Sequence, residues 1–354
     1  VRRMIHPDNA LTNQYKIVPV RLDTTGPEGA LRYSVATNFA LSLCDRVRVN
    51  TLAGTRRLVE VTSRDHVLLL DLTGSYSVAA RSSGFYNRLQ QRGATLGAVV
   101  YDLLPIDYPH LFPDGASNHH RAWVHSISDF DYAACISVQV KGRLTDFLSR
   151  EHPDSGLLKN GHIHHFPLGF NITKDSSKPS SSTLLALEKH DNSNAIFLLV
   201  GTIEPRKNHK SILDAFERAW RQGIPVDLVV VGRAGWAHDP QAAEDAGIFE
   251  CVARMNALAQ QTRRFSWLND ANDSDLEAAY SVADFVICPS IDEGYGLPVA
   301  EGLARGKRLL ASDIPVFHEL AGDFADYVAP EDVAAWTDAL INFSASHLQS
   351  KATR

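Results

Sequence analysis

The sequence predicts an α/β protein made of two doubly wound domains in tandem. Its 354 residues exceed what one core usually needs and suit two domains of about 150–200 residues each. Short apolar runs alternate with amphipathic segments in both halves, which favours parallel sheets covered on both faces by helices. A serine-rich stretch over 173–194 interrupts this alternation. Ligands bind such sheets at the carboxyl ends of the strands, so we expect the functional residues there.

The composition is that of an ordinary globular protein. Hydrophobic residues make up 44% and charged residues 21%, and the net charge of −6 lacks the basic excess of a nucleic-acid-binding protein. The four cysteines are scattered without a C-x-x-C pair, which favours reduced thiols. No apolar run reaches the roughly 20 residues that span a bilayer, and the first residues lack a signal-peptide core. The sequence therefore predicts a cytoplasmic protein, either free or peripheral to the membrane.

The first half begins with a strand over 15–23. Residues 24–43 read as a turn rich in glycine and proline followed by a helix, because Leu31, Val35 and later apolar residues recur at helical spacing. The remaining predicted elements of this half are strands over 46–52, 65–72, 133–137 and 161–165, an apolar run over 95–109 that ends in a loop, and helices over 84–93 and within 121–151.

The second half repeats the alternation after the serine-rich linker, which itself holds one or two helical turns. We expect a first domain over 1–172, a linker over 173–194, a second domain over 195–335, and a C-terminal helix over 336–354 that packs back toward the first domain. The predicted strands of the second half are 195–201, 226–232, 263–268, 284–290 and 307–313, and its helices are 207–223, 240–260, 274–283, 298–306 and 330–343.

Two cations follow the first strand of the second domain. The strand ends at Gly201, and Arg206 and Lys207 come directly before a helix. A helix N-terminus offers free N–H groups and the positive end of the helix dipole, and Arg and Lys both suit phosphate. The pair predicts an anion site, with a solvated basic loop as the alternative.

A second constellation lies in "SIDEGYGLPVAEGLARG" at 290–306. Glu293 precedes a glycine-rich turn, and Pro298 suits the first turn of the following helix. Two glycines in the turn allow the backbone to approach a ligand closely. Glu301 lies eight residues after Glu293, and its alternative explanation is an i,i+4 ion pair with Arg305.

These segments together resemble a known family. "VGTIEPRKN", "VVGRAGW", "DLEAAYSVADFVICPSIDEGYGLPVAEGLARGKRLLASD" and "FHELAGDFADYVAPED" are similar in kind and order to the C-terminal half of family 4 retaining glycosyltransferases. The resemblance implies the GT-B fold, in which two Rossmann-like domains face each other across a deep cleft. The first domain would bind the acceptor and the second the nucleotide sugar.

The resemblance also implies roles for the charged residues. Glu293 and Glu301 match the E-x7-E motif, in which the first glutamate contacts the donor sugar and the second binds the ribose hydroxyls. Arg206 and Lys207 would bind the pyrophosphate. Many members have an arginine directly after the strand-ending glycine, whereas this chain has Thr202, so Arg206 would carry more of the phosphate charge.

The glycine-rich turn would present its backbone N–H groups to the donor. It consists of Gly294, Tyr295, Gly296 and Leu297.

The first domain resembles the family more weakly. Its first loop matches a segment in which a glycine lets the chain pass close to the donor phosphates, and Gly29 fits better than Gly26. Where many relatives read His-Asp, this chain has Tyr101 and Asp102. Asp102 is a candidate for orienting the acceptor hydroxyl or taking its proton, with capping of the following turn as the alternative.

The resulting hypothesis is a retaining hexosyltransferase that needs no metal and no cofactor besides its nucleotide-sugar co-substrate. The segments resemble bacterial mannosyl- and rhamnosyltransferases of surface polysaccharide synthesis, which favours GDP-mannose as donor over a UDP- or dTDP-sugar. The acceptor would be a glycan or a lipid-linked sugar at the cytoplasmic membrane face. Two alternatives stay open: a sugar-nucleotide epimerase of the same fold, and a non-catalytic subunit that binds nucleotide.

Overall fold

The chain forms two compact units, one of residues 1–98 with 122–132 and the other of residues 99–121 with 133–354. The computed structural model describes residues 20–23, 32–35, 58–59, 65–70, 81–82, 84–169, 178–190, 193–236 and 239–352. The sequence-based domain boundaries at 172 and 195 stay a prediction.

The first three strands form a small antiparallel sheet. In this sheet β1 (Val20–Asp23) pairs with β2 (Arg32–Val35), and β2 pairs with β3 (Leu58–Val59). The helix predicted over 24–43 is therefore wrong at 32–35. Tyr33 and Val35 also fit the two-residue alternation of a strand, and aromatic and β-branched residues favour strands.

A four-stranded sheet follows, in the order β4-β5-β6-β7. The pairs β4–β5 and β6–β7 are parallel, as the alternation predicts. The elements are β4 (His66–Leu69), α1 (Phe85–Gln91), β5 (Thr95–Val100), α2 (Leu104–Asp107), α3 (Ala116–Ile127), β6 (Tyr132–Cys135), α4 (Val138–Glu151), α5 (Gly156–Asn160) and β7 (Ile163–His165).

The second half builds a six-stranded, wholly parallel sheet in the order β10-β9-β8-β11-β12-β13. Its elements are α6 (Ser181–Leu187), β8 (Ala195–Val200), α7 (His209–Arg221), β9 (Val226–Val231), α8 (Pro240–Asp245), α9 (Ile248–Gln261), β10 (Phe265–Leu268), α10 (Asp273–Val282), β11 (Phe285–Cys288), α11 (Leu297–Ala304), β12 (Arg308–Ser312), α12 (Pro315–Ala321), β13 (Ala325–Val328) and α13 (Val333–Ala352).

The structure differs from the sequence-based elements of this half in two places. The single helix predicted over 240–260 is two helices, α8 and α9, separated at Gly247, whose φ of 67° is left-handed. Glycine adopts this conformation without the strain that a side chain would add. The sequence reading also omitted α12 and β13, because both are short and their apolar pattern is weak.

The core of this half lies on both faces of the six-stranded sheet. Phe197 and Leu198 are neighbours on β8, so their side chains enter opposite faces. Phe197 packs against Phe216 of α7 with ring centroids 5.6 Å apart. Trp336 and Phe343 of the C-terminal helix join the same cluster, so the described part of α13 covers this sheet.

The strand order reverses beside β8, because β9 lies on one side of it and β11 on the other. At this switch point the loops after β8 and β11 leave the sheet from the same edge in opposite directions. Both sequence motifs, at 201–208 and 289–297, lie in these two loops.

Candidate active site

The loop after β8 presents the basic pair on one short 3-10 turn, Pro205–Lys207. Asn208 ends this turn with a left-handed φ of 57°. Its side-chain amide donates to the carbonyls of Pro289, at 3.1 Å, and Pro330, at 2.6 Å. A buried asparagine therefore ties the loop after β8 to the loop after β11 and fixes Arg206 and Lys207 at the switch point.

Both cations meet the same carboxylate. Glu293 accepts from Lys207 Nζ and Ser290 Oγ at Oε1, and from Arg206 Nη1 at Oε2, the last at 3.1 Å. Burial alone would raise the pKa of Glu293, but Lys207 and Arg206 outweigh it and lower that pKa below its ordinary value. Glu293 is thus held ionised inside the protein, 8% exposed.

A second carboxylate, which the sequence reading missed, lies beside Arg206. Glu204 Oε2 is 3.1 Å from Arg206 Nε. Burial alone would lower the pKa of Arg206, and the carboxylates of Glu293, Glu204 and Asp102 together raise it. Glu204 stands two residues before Arg206 in the sequence, so its spacing could have indicated that it belongs to the site.

Asp102 reaches the same site from the segment after β5. Its Oδ1 accepts from the Leu104 N–H at 3.1 Å, so the capping interaction considered for the sequence does form. His120 of α3 contacts the Asp102 carbonyl through Nε2 at 2.9 Å. Burial raises the pKa of Asp102 above its ordinary value, and the nearby His120 partly opposes this shift. The charge of Glu293 contributes to the raised pKa of Asp102.

The glycine-rich turn packs directly against this segment. A Cβ at position 294 would overlap the carbonyl oxygen of Tyr101 and lie 3.1 Å from the Cβ of Asp102. Ser137 donates to the carbonyl of Gly294 at 2.8 Å. Glycine is therefore required at 294 by the protein itself, because it lets Asp102 approach Glu293.

The other residues of the turn have defined places. Tyr295 is buried and its hydroxyl donates to the Leu168 carbonyl at 2.9 Å. Gly296 has a φ of 100° and packs on the Phe317 ring, and Leu297 starts α11 with an exposed side chain. The Tyr295 side chain thus anchors the turn.

Glu301 lies one turn into α11 and does not form the ion pair with Arg305. Its Oε2 accepts from the Tyr280 hydroxyl at 2.8 Å, whereas Arg305 pairs with Glu277 and donates to the Glu301 carbonyl. Burial and the Glu301 charge raise the pKa of Tyr280. The alternative explanation for Glu301 is therefore wrong.

Asp292 and Arg143 are further residues that the sequence reading missed. Asp292 is buried, and its carboxylate pairs with Arg143 of α4 and accepts from the N–H of Glu293 at 2.7 Å. Arg143 also lies 3.4 Å from Asp107. Neighbouring acids at 292 and 293 thus face different cations, which fixes the backbone before the turn.

Gly29 and its alternative Gly26 lie outside the described residues. Within the described ranges, no three His, Cys, Asp or Glu side chains are grouped so that they could hold a metal ion. In the same residues, no helix combines the length and the hydrophobicity needed to cross a bilayer. The absence of a metal requirement stays a prediction.

The family comparison covers the part of the chain that carries this motif set. Residues 185–353 match the model of the family described as glycosyl transferases group 1. This range contains the six-stranded sheet with Arg206, Lys207, Glu293 and Glu301. Residues 185–353 are therefore similar to group 1 glycosyl transferases, which confirms the resemblance.

Curated relatives give a narrower comparison. The chain is 29% identical over 261 residues to the serotype-specific mannosyltransferase WbdA of Escherichia coli, covering 70% of this chain and 30% of that protein. It is 31% identical over 156 residues to the O-antigen chain mannosyltransferase RfbU of Salmonella typhimurium, covering 44% and 40%. The chain thus spans less than half the length of either relative.

Solved structures support the fold. A trehalose-phosphate synthase from Burkholderia xenovorans superposes with a TM-score of 0.56 at 14% identity, covering 80% of this chain and 69% of that one. Anabaena Alr3699/HepE, solved with UDP and glucose, gives 0.55 at 16% identity over 82% and 73%. Together with the two sheets and their alternating helices, these matches confirm the GT-B class of tandem Rossmann-like folds.

Proposed function

We propose that this chain is a retaining glycosyltransferase that moves a hexose, mannose in our preferred form, from a nucleotide sugar to a glycan or lipid-linked sugar in bacterial polysaccharide synthesis. The observation that carries the proposal is the buried cluster of Arg206, Lys207 and Glu293 at the switch point, with Asp102 beside it. The family match over 185–353 and the mannosyltransferase relatives support it.

Arg206 and Lys207 would bind the donor pyrophosphate. Cations fixed beside a helix N-terminus stabilise the negative charge that grows on the leaving phosphate as the bond to the sugar breaks. Gly29 would let the first loop approach the same phosphates. Because Asn208 anchors the loop, the two cations need little reorganisation when the donor binds.

Glu293 would orient the donor sugar. An ionised carboxylate accepts hydrogen bonds from hydroxyl groups, and Lys207 and Arg206 keep it ionised. The turn from Gly294 to Leu297 would offer backbone N–H groups to the same sugar. Glu301 would accept from the ribose hydroxyls while its Oε2 keeps the bond from Tyr280.

The chemistry we propose needs no protein nucleophile. The bond from the anomeric carbon to the phosphate oxygen breaks, the acceptor oxygen attacks from the same face, and the leaving phosphate takes the acceptor proton. The protein then orients the two substrates and stabilises charge. Asp102 would orient the acceptor hydroxyl or, as the alternative base, take its proton in place of the leaving phosphate. Its raised pKa fits a group that exchanges a proton.

The donor is tested by thermal-shift measurements with GDP, UDP, dTDP and their sugars. A ligand that binds the native state raises the unfolding temperature, so selective stabilisation by GDP and GDP-mannose supports our preferred donor. Selective stabilisation by a UDP- or dTDP-sugar would replace it.

Transfer and epimerisation are separated by incubating the donor without acceptor. Isomerised donor supports the epimerase. Sugar transfer that depends on an added glycan or lipid-linked sugar supports the glycosyltransferase. We also propose that the protein acts in the cytoplasm, at the membrane face when the acceptor is lipid-linked.

A further inference from the structure

Glu204 lies beside the cations to which we assign the donor phosphates. Its carboxylate Oε2 is 3.1 Å from Arg206 Nε, and the two side chains are 18% and 22% exposed. It comes from the same loop after β8 and contacts Arg206 at Nε, whereas Glu293 contacts Arg206 at Nη1. Glu204 lies within the segment "VGTIEPRKN", but neither the roles that the resemblance implies nor the proposed mechanism includes it.

The stem of Glu204 is held by the neighbouring loop after β9. A Cβ at Gly235 would lie 2.6 Å from Glu204 Cγ and 2.8 Å from the Ile203 carbonyl. The Gly235 N–H donates to that carbonyl at 3.1 Å, and Ile203 forms a parallel bridge with Ala234. These contacts keep the carboxylate next to Arg206.

The cations of the site are paired within the protein. Arg206 faces Glu204 through Nε and Glu293 through Nη1, and Lys207 faces Glu293. Two cations therefore meet two carboxylates of the protein itself. A diphosphate bound to the same guanidinium would place its negative oxygens close to the carboxylate of Glu204.

We propose that Glu204 limits the affinity of this site for nucleoside diphosphates and thereby speeds release of the nucleoside diphosphate product. The inference rests on the proposed function, because it assumes that Arg206 binds phosphate. Like charges a few ångströms apart in a partly buried site repel strongly enough to change affinity about tenfold or more.

The test compares Glu204→Gln with wild type. Glutamine keeps the length of the side chain and an oxygen at the same position, but it removes the charge. Calorimetry with GDP, UDP and inorganic pyrophosphate at constant ionic strength should show about tenfold tighter binding to the variant. Guanosine and uridine, which lack phosphate, should bind both proteins equally.

Two controls accompany this variant. Glu244→Gln makes the same charge change at an exposed residue of α8 and should leave every affinity unchanged. Glu204→Ala also removes the oxygen that orients Arg206, so it should gain less than Glu204→Gln. The gain of Glu204→Gln should shrink as salt is raised, because salt screens the repulsion.

Unchanged or weaker diphosphate binding by Glu204→Gln overturns the inference, since Glu204 would then act by orienting Arg206. An equal gain for the nucleosides also overturns it. In both cases the proposed function stands if wild type binds the diphosphates. If neither protein binds any diphosphate, the anion site is wrong and both proposals fall.

Discussion

The loop after β11 and the segment after β5 each bring one carboxyl group to the site, and their surroundings differ. Glu293 lies between two cations and a serine hydroxyl, so its pKa is lowered despite burial. Asp102 accepts one backbone N–H, and burial raises its pKa. Two acids within one site can thus be adjusted to different protonation behaviour by their neighbours, which suits one to fixed charge and the other to proton exchange.

The largest effect is expected when one of the cations around Glu293 is removed. Lys207→Ala removes a cation from Glu293 and from the proposed phosphate site, so kcat/KM for the donor should fall about a thousandfold. Lys210→Ala changes an exposed lysine in the first turn of α7 and should leave the rate near wild type. Steady-state transfer assays measure both, and an unchanged rate for Lys207→Ala would refute the site assignment.

The next largest effect distinguishes the roles of Asp102 and Glu293. Asp102→Asn should lower kcat about a hundredfold while the affinity for the nucleoside diphosphate stays near wild type, because we assign Asp102 to the acceptor. Glu293→Gln should also lower kcat, with a change in donor KM, because we assign Glu293 to the donor sugar. Kinetics with donor and acceptor varied separately measure the difference. If the two variants show the same pattern, the acids do not have separate roles.

The pH dependence of stability should differ in sign between the two acids. The pKa of Glu293 is lowered in the folded state, so its contribution is present above the unfolded value of about 4.3 and is lost as pH falls through the folded pKa. The pKa of Asp102 is raised, so its contribution is present below about 3.9 and is lost as pH rises through the folded pKa.

Urea unfolding of both variants measures this difference. Glu293→Gln should lower the free energy of unfolding by about 2–4 kcal/mol at neutral pH, since it leaves two cations without their partner. The difference in stability from wild type should become smaller in acid. Asp102→Asn should be at least as stable as wild type at neutral pH and lose that advantage in acid. If the stabilities of the two variants changed with pH in the same direction, the opposite pKa shifts of Glu293 and Asp102 would be contradicted.

A smaller effect tests the contact that joins the two regions. Gly294→Ala adds a Cβ that overlaps the Tyr101 carbonyl, so it should destabilise the protein by about 1–3 kcal/mol and reduce transfer. Gly142→Ala lies in α4 with open space around it and should stabilise by about 0.5–1 kcal/mol. Denaturant unfolding measures the stability of both variants. Equal stabilities would contradict the close packing of Gly294 against the Tyr101 carbonyl.

The smallest expected effect concerns Glu301. Glu301→Gln should weaken GDP or UDP binding by about fivefold, because a neutral amide binds ribose hydroxyls less strongly than a carboxylate. Arg305→Gln should leave that affinity unchanged, since Arg305 pairs with Glu277. Calorimetry measures the nucleotide affinity of both variants. Equal losses of affinity would indicate that Glu301 has only a structural role.

Much of the second half was predictable from the sequence, because its strands are continuous apolar runs and its helices have clear polar and apolar faces. The helix predicted over 24–43 was wrong at 32–35, where the same apolar residues also fit a strand and the pairing of β1 with β2 decided the outcome. Gly247 gave too weak a signal, on its own, to divide the helix predicted over 240–260 into α8 and α9.

Some residues of the candidate site could likewise be predicted from the sequence, and others could not. Arg206, Lys207 and Glu293 stand in motifs that follow strands, so their convergence could be predicted from strand order. Glu204 and Asp292 stand beside those motifs, but sequence spacing does not show which cation each one meets. The Asp102 contact depends on a close approach between segments far apart in the chain, which sequence patterns do not report.

The sequence by itself determined most strands and helices of the six-stranded sheet, and the acids, cations and glycines placed at its strand ends. Local propensity and hydrophobic periodicity are properties of neighbouring residues, so the sequence expresses them directly. The tertiary structure alone decided that Glu301 binds Tyr280, that Glu204 faces Arg206, and that Glu293 and Asp102 have opposite pKa shifts. Burial and charge pairing arise from segments brought together by folding, and they set these properties.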